Sequence, residues 1–136
     1  MRVSNRLDYA VRALLELTLR AGQGPIPTRE IARAQEIPEA FAHQVLGALV
    51  KAGMVRTLRG PGGGHTLAQA PESTTLLDIV AAVEGRPGRG PDTPFDAVSD
   101  VWEELEAVQH RYLAGITLAA LARAAQERTN PIGYVI

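Results

Sequence analysis

Apolar residues recur with helical spacing through the first half of the chain. Over residues 6–19 they return every three or four positions, which predicts an amphipathic helix that ends at the Gly- and Pro-containing segment after it. The apolar residues of this stripe are Leu7, Ala10, Val11, Leu14, Leu15 and Leu17. A second, short helix is predicted from Thr28, taken as its N-cap, to about Gln35.

A third helix is predicted over residues 39–51, opened by Pro38 and stopped by Gly53. Its predicted buried face holds Phe41, Val45, Ala48, Leu49 and Ala52. The opposite face, called the recognition face below, holds Glu39, Ala40, His43, Gln44, Gly47 and Lys51. These residues are small or form hydrogen bonds, which suits contact with base edges, although an ordinary solvated face is equally consistent with this helix alone. Two helices separated by a short break are typical of a helix-turn-helix.

Glycines are concentrated between two short segments of β-type residues, 54–58 and 65–68. They predict a hairpin, and a hairpin directly after a helix-turn-helix is a wing. Its tip, Gly63 included, is expected to need positive φ angles and close backbone approach. The predicted DNA contacts of the wing are Arg56, Arg59, Gly60, Pro61, Gly62, Gly63, Gly64 and His65. A nucleotide-binding phosphate loop is disfavoured, because the Gly-Lys-Ser/Thr ending is missing and no helix is predicted after the glycines.

The second half predicts a further helix, a connector and a long helix. Thr74 or Thr75 is expected to cap a helix over residues 76–83, and Thr117 to cap a last helix over residues 118–125. Between them, apolar positions with heptad spacing predict a dimerisation seam. These positions are Val98, Val101, Leu105, Val108, Tyr112, Gly115 and Ala119, broadened by Trp102 and Ile116. The helix could instead cover its own domain, but its apolar strip is wide enough to favour a dimer.

The predicted fold is therefore mainly α. We predict a winged helix-turn-helix DNA-binding domain over residues 1–83, a flexible connector over residues 84–95, and a dimerisation helix with a C-terminal tail over residues 96–136. The tail from residue 127 is expected to be loose or to pack on the partner.

Composition narrows the class of function. Residues 1–70 carry nine Lys or Arg against five Asp or Glu, a balance of +4, whereas residues 71–136 carry five against ten, a balance of −5. The basic half favours a polyanionic partner. The absence of cysteine excludes thiolate ligands, and three separated histidines make a dedicated metal site unexpected, so neither a metal nor a cofactor is predicted.

Other classes find no support in the chain. No apolar run approaches the length of about 20 residues that spans a bilayer, and the first ten residues lack the apolar stretch of a signal peptide, so we expect a cytoplasmic protein that contacts no membrane. No local Ser/His/Asp motif or carboxylate pair indicates an enzyme.

Several segments together resemble the Rrf-two family of bacterial winged-helix transcription regulators, which includes IscR, NsrR and CymR. The resemblance covers nearly the whole chain. It rests on DYAVRALLEL, on IPTREIARAQEIPEAFAHQVLGALVKAGMV, on RGPGGGHTLAQAPE, on LLDIVAAVEG and on VWEELEAVQHRYLAGITLAAL. The glycine-rich wing motif is the most specific of these segments.

The resemblance implies a homodimer that binds palindromic double-stranded operator DNA, with the third helix in the major groove and the wing in the minor groove. It places His43 and Gln44 where relatives contact bases, and Arg59 where a wing arginine enters the minor groove. Residues near Arg2 and Ser4 match the N-terminal phosphate-contacting region of the family. We also predict a phosphate contact for Thr28.

Three departures qualify the resemblance. Many relatives hold an iron-sulfur cluster through three cysteines after the fourth helix, and this chain has none. His43 stands where relatives often have Glu, and His65 stands where the wing usually has an aromatic residue. Because both histidines are predicted on the DNA face, binding is expected to weaken as pH rises from about 6 to about 8.

The sequence thus predicts a homodimeric, sequence-specific transcription regulator, a repressor without an iron-sulfur cluster. The alternative is a winged-helix protein-interaction module that does not bind DNA. Operator, regulated genes and effector are not specified by the sequence.

Overall fold

The computed structural model describes residues 1–85 and 92–129, in which six helices and one two-stranded antiparallel sheet form a winged helix fold. The elements are α1 Asn5–Leu19, α2 Thr28–Ala34, α3 Glu39–Lys51, β1 Val55–Leu58, β2 Gly64–Leu67, α4 Leu76–Glu84, α5 Ala97–Ala114 and α6 Leu118–Thr129. The predicted mainly α winged-helix class is confirmed. Residues 86–91 of the predicted connector and residues 130–136 of the tail lie outside the described residues. No helix in the described part of the chain is long and apolar enough to cross a membrane.

Helix α1 is the centre of the core, and α2, α3, α4 and α6 all pack against it. Ala10 and Ala13 on α1 are fully buried, and such small side chains let neighbouring helices approach closely. The largest fully buried side chains come from five helices: Leu14, Ile31, Leu46, Leu49, Ile79 and Leu118. Helix α6 therefore shares the core of the N-terminal elements, although the sequence analysis grouped it with the dimerisation segment.

The bounds of α3 agree with the prediction, but its buried face is rotated. Val45 and Leu49 are buried as expected, whereas Phe41 is 50% exposed and Ala52 is also exposed. Ala42 and Leu46 are buried in their place. The Phe41 ring instead lies at the edge of the domain, with its centroid 5.9 Å from that of Tyr9.

Side-chain caps define most of the helix starts. Thr75 forms a capping box with Asp78, and Thr117 accepts a hydrogen bond from the backbone of Ala120, so both predicted caps are confirmed. The prediction for Thr28 is wrong, because Pro27 occupies the cap position of α2 and Thr28 is already helical.

The predicted heptad seam stops where α5 ends. Gly115 is the C-cap of α5, and the following residues join the core instead of continuing the helix. The Ile116 carbonyl accepts from Leu76 N–H at 2.9 Å, and Leu118 N–H donates to the Thr74 carbonyl at 2.8 Å. Ile116 is accordingly half-buried beside the start of α4, and the dimerisation role predicted for it does not fit this position.

Candidate nucleic-acid interface

The recognition face of α3 is exposed along its whole length. All of its predicted members, from Glu39 to Lys51, are open to solvent. The only ion pair on this face among the described residues joins His43 Nε2 to Glu39 Oε1 at 3.8 Å. Gln44 and Lys51 have no such restraint within the described chain, so their polar groups can turn towards a ligand.

Gly47 lies at the middle of the recognition face. A Cβ atom placed on it would meet no heavy atom of the described chain within 4 Å. Packing within the protein therefore does not require glycine here. A glycine in an exposed helix interior costs stability relative to alanine, so its presence fits a surface that another molecule approaches closely.

The wing consists of β1, β2 and the turn between them. Val55 pairs with Leu67 and Leu58 with Gly64, so the predicted hairpin is confirmed. At the tip, Gly60 and Gly62 have φ angles of 95° and 75°, which favour glycine. Arg56, Arg59 and the first tip residues are exposed.

Gly63 is required for a reason other than the one predicted. It is not among the residues with positive φ. A Cβ atom on Gly63 would instead lie 2.1 Å from the Leu58 carbonyl oxygen and 2.8 Å from that of Gly60. The turn closes so tightly over this residue that no side chain fits.

Strand β2 of the wing is fastened, next to the turn, to the loop before α2. Ile26 N–H donates to the His65 carbonyl at 2.9 Å, and His65 N–H donates to the Ile26 carbonyl at 2.8 Å. Gly64 permits this approach, because a Cβ atom there would lie 2.4 Å from the carbonyl carbon of Ile26. The wing is thus positioned by the helix-turn-helix as well as by its own two strands.

The His65 side chain completes this attachment. Its Nε2 atom lies 2.8 Å from the Thr28 hydroxyl, and its Nδ1 atom lies 3.2 Å from the Thr57 hydroxyl. Burial lowers the pKa of His65 below its ordinary value of 6.5, and the nearby His43 lowers this pKa further. Both ring nitrogens of His65 therefore have partners within the protein, and its partly buried ring differs in this respect from the exposed His43 ring.

The predicted phosphate-contacting residues occupy different environments. Arg2 is exposed near the start of α1. The Ser4 hydroxyl accepts from Leu7 N–H at 3.1 Å as the α1 cap and donates to Glu84 at the end of α4. Thr28 is only 9% exposed, and its hydroxyl is bonded to His65. A phosphate contact by the Thr28 side chain does not fit this burial.

Sequence reasoning missed Ile26 and Thr57, the partners of His65. They lie 39 and 8 residues from it along the chain, and neither belongs to a local motif. Within the sequence, only the histidine that directly follows the glycine run could have drawn attention to them.

Helix α5 presents a second exposed surface, which is apolar. None of its 18 residues, all within the described part of the chain, is buried. Six of its large apolar side chains are between 47% and 70% exposed: Val98, Val101, Trp102, Leu105, Val108 and Tyr112. Within its own chain α5 packs on α4. A cavity of about 440 Å³ lies between α5, α4 and the start of α1, with Trp102 and Leu105 in its wall.

The donor set for a metal is poor. The chain has no cysteine, and in the described residues no three His, Asp or Glu side chains come together as metal ligands. His43, His65 and His110 lie on α3, β2 and α5.

Solved structures and curated proteins resemble this chain over most of its length. The structure described as T. potens IscR has a TM-score of 0.84 and 32% identity, and covers 96% of this chain and 92% of its own. CymR, described as the global cysteine regulator of B. subtilis, has a TM-score of 0.81 and 27% identity, over 91% of this chain and 98% of its own. The protein slr0846 of Synechocystis sp., provisionally named an HTH-type transcriptional regulator, is 38% identical over 89% of this chain and 87% of its own.

The model of the Rrf2 (Rrf-two) family, described as iron-dependent transcriptional regulators, matches residues 3–124. The family description implies iron, but the side chains here do not fit an iron-sulfur cluster, since such clusters are held by thiolates and the chain has none. The match extends over all eight described elements, from α1 into α6. On this evidence the chain belongs to the Rrf2 family of winged-helix, DNA-binding transcription regulators.

Proposed function

We propose that this protein is a homodimeric, sequence-specific repressor that binds palindromic operator DNA in the cytoplasm without an iron-sulfur cluster. It acts by occupying its operator and catalyses no reaction. The observation that carries the proposal is the exposed recognition face of α3, made of small and hydrogen-bonding side chains, beside a wing that is fastened to the same helix-turn-helix.

Helix α3 supplies sequence discrimination. A major groove admits one α-helix, and a glutamine amide there can bond two atoms of an adenine edge. Gln44 has the required position on the exposed face, and Gly47 one turn away removes the side chain that would hold the helix out of the groove. His43 beside Gln44, and Lys51 at the C-terminal end of this face, supply further donors.

The wing supplies affinity that depends little on sequence. Arg59 and Arg56 are exposed at the wing, so their guanidinium groups can contact phosphates or enter a narrow minor groove. Arg2 adds a cation near the start of α1. Each phosphate contact of this kind makes binding more sensitive to salt.

The apolar face of α5 supports the dimer. Monomeric proteins rarely leave a large contiguous apolar patch exposed, and a twofold dimer buries the same patch on both copies. Val101, Trp102, Leu105 and Val108 lie at the centre of this patch. A dimer with two-fold symmetry presents two α3 helices, which accounts for a palindromic operator.

An operator is first selected by binding of the wild-type protein to genomic fragments. The test then compares Gln44→Ala with Arg59→Ala on this operator and on a scrambled duplex, each at several salt concentrations. Gln44→Ala is expected to cost about 1–3 kcal/mol on the operator and to leave binding to scrambled DNA nearly intact. Arg59→Ala is expected to weaken binding to both duplexes. It should also reduce the slope of log affinity against log salt concentration by about one unit. Arg128→Ala, which removes a cation from α6, is the matched control for net charge.

Equal changes in the ratio of operator to scrambled affinity for Gln44→Ala and Arg59→Ala would contradict this division of roles. If the wild-type dimer bound no genomic fragment at low salt, the proposal would fail and the protein-interaction alternative would replace it.

A further inference from the structure

We propose that His65 is a positioning residue that clamps the wing to the first turn of α2, and that protonation of its ring weakens this clamp. The inference rests on the proposed DNA-binding function and deepens it, because it assigns a control of wing position to one side chain. The clamp is defined as the ring of His65 together with the hydroxyls of Thr28 and Thr57.

The geometry of the clamp joins three elements through one ring. Nε2 meets Thr28 on α2 at 2.8 Å, and Nδ1 meets Thr57 on β1 at 3.2 Å. A neutral imidazole has one N–H donor and one acceptor, and a hydroxyl can serve as either, so both tautomers satisfy both contacts. The paired backbone bonds between His65 and Ile26 lie directly beside the ring and depend on the wing staying in place.

Burial makes this attachment sensitive to protonation. Thr28 is almost completely buried, so the Nε2 side of the ring faces the protein interior. Both contacts can persist when the ring is a cation, but the cation loses hydration in this position and is repelled by a charged His43. The pKa of His65 is lowered from 6.5 for these two reasons, burial first and His43 second.

The charged side chains near the His65 ring do little to stabilise its protonated form. On α3, His43 acts on the ring as a nearby positive charge, and its own Nε2 pairs with Glu39 Oε1 at 3.8 Å. At the end of α1, Arg20 lines the same cavity as His65, and it pairs with Glu30 of α2 at 3.2 Å. On β1, Arg56 is opposite Thr66 and so points to the other face of the hairpin from Thr57.

The direction of the pH effect follows from linkage. A released wing returns the ring to water, where its pKa is near 6.5, while the clamped ring has a lower pKa. The released state therefore binds more protons, so the clamp is fully effective above pH 6.5 and weakens as pH falls from there towards the lowered pKa. This is the opposite of the pH trend that a histidine contacting phosphate would produce.

The experiment measures amide hydrogen exchange of the full chain without DNA. The reporters are the amides of Ile26 and His65, and the Leu14 amide in the core reports global unfolding. At pH of about 7.5, Thr28→Val is expected to lower the protection of both reporters about 3- to 10-fold, as the loss of one hydrogen bond predicts. Thr66→Val, the same change on a neighbouring β2 residue outside the clamp, is expected to leave them unchanged.

Protonation is tested by lowering pH to about 5.5. Wild-type protection at Ile26 and His65 is expected to fall by up to about tenfold after correction for intrinsic exchange, since the released ring titrates near 6.5. His65→Phe removes the titrating ring and should abolish this pH dependence while leaving Leu14 unaffected. Protection that is independent of pH in the wild type, or equal in Thr28→Val and Thr66→Val, would overturn the clamp.

The effect of the clamp on operator affinity is measured in a separate experiment. At pH of about 7.5, Thr28→Val should weaken operator binding about 3- to 10-fold and Thr66→Val should not. Operator affinity equal in both variants would overturn the positioning role. If the wild type bound no DNA while the exchange results held, the proposed function would fail and the clamp would stand.

Discussion

Substitutions at Gly47 allow the effect on fold stability to be measured separately from the effect on DNA binding. It lies in the interior of α3 on the exposed side, and a Cβ atom there meets no heavy atom of the described chain within 4 Å. Gly47→Ala should therefore raise the free energy of unfolding by about 1 kcal/mol, the difference in helix propensity. For a chain of 136 residues, an unfolding entropy of about 2.1 cal/mol/K per residue converts this gain to about 3–4 °C in Tm.

Gly47→Gln places a long side chain at the same point. It should still fold, with roughly half the stability gain of alanine. Within a groove, however, the new side chain would hold α3 away from the bases and remove the Gln44 contact, at a cost of about 1–3 kcal/mol or about 5- to 150-fold in operator affinity. Thermal unfolding by circular dichroism and fluorescence anisotropy with labelled operator measure the two effects independently.

The matched control is Ala124→Gln, which adds the same side chain to an exposed position of α6. It should bind operator as the wild type does. A folded Gly47→Gln dimer with unchanged operator affinity would refute the argument, because the recognition face could not then lie against DNA.

Three further predictions follow from the described surfaces. Leu105→Glu should give a folded monomer by light scattering, since Leu105 is exposed within its own chain and a charge at the centre of the dimer would be buried; an unchanged dimer mass would contradict the interface. Gly63→Val should disrupt the wing and lower Tm more than Gly62→Val, since a Cβ on Gly63 would lie 2.1 Å from the Leu58 carbonyl oxygen, whereas Gly62→Val meets open space and costs only the strain of a side chain at a φ of 75°; equal Tm values would show that the turn relaxes. Anaerobic reconstitution with iron and sulfide should leave operator affinity unchanged, and a stoichiometric cluster that alters affinity would refute cluster-free binding.

Local signals were sufficient for the helices and the hairpin. The ends of α3 follow from Pro38 and Gly53, and the wing follows from glycines between two β-type segments, so both could be predicted from neighbouring residues. The face that α3 buries could not be obtained in the same way. Helical spacing alone included Phe41 and Ala52 in the predicted face, whereas packing selects Ala42 and Leu46.

Contacts between distant residues account for the remaining errors. Thr28 resembles an N-cap locally, but its partner is His65, 37 residues later. Gly63 lies in a glycine run where positive φ is expected, yet the crowding comes from the Leu58 carbonyl across the turn. The predicted seam passed Gly115 because heptad spacing does not reveal that the segment after α5 is bonded to the start of α4.

The exposure of α5 has a consequence for the amount of active protein in a cell. Helix α5 has 18 residues and no buried side chain, so burial of its apolar face contributes little to its stability within one chain. If a second copy supplies the missing burial, the helicity of residues 97–114 increases with chain concentration, and so does the share of chains able to occupy both half-sites of an operator. Below the dimer Kd, the concentration of dimer varies with the square of the free chain concentration. A modest change in synthesis or degradation would then produce a larger change in operator occupancy, which gives a steep transcriptional response without any small-molecule signal.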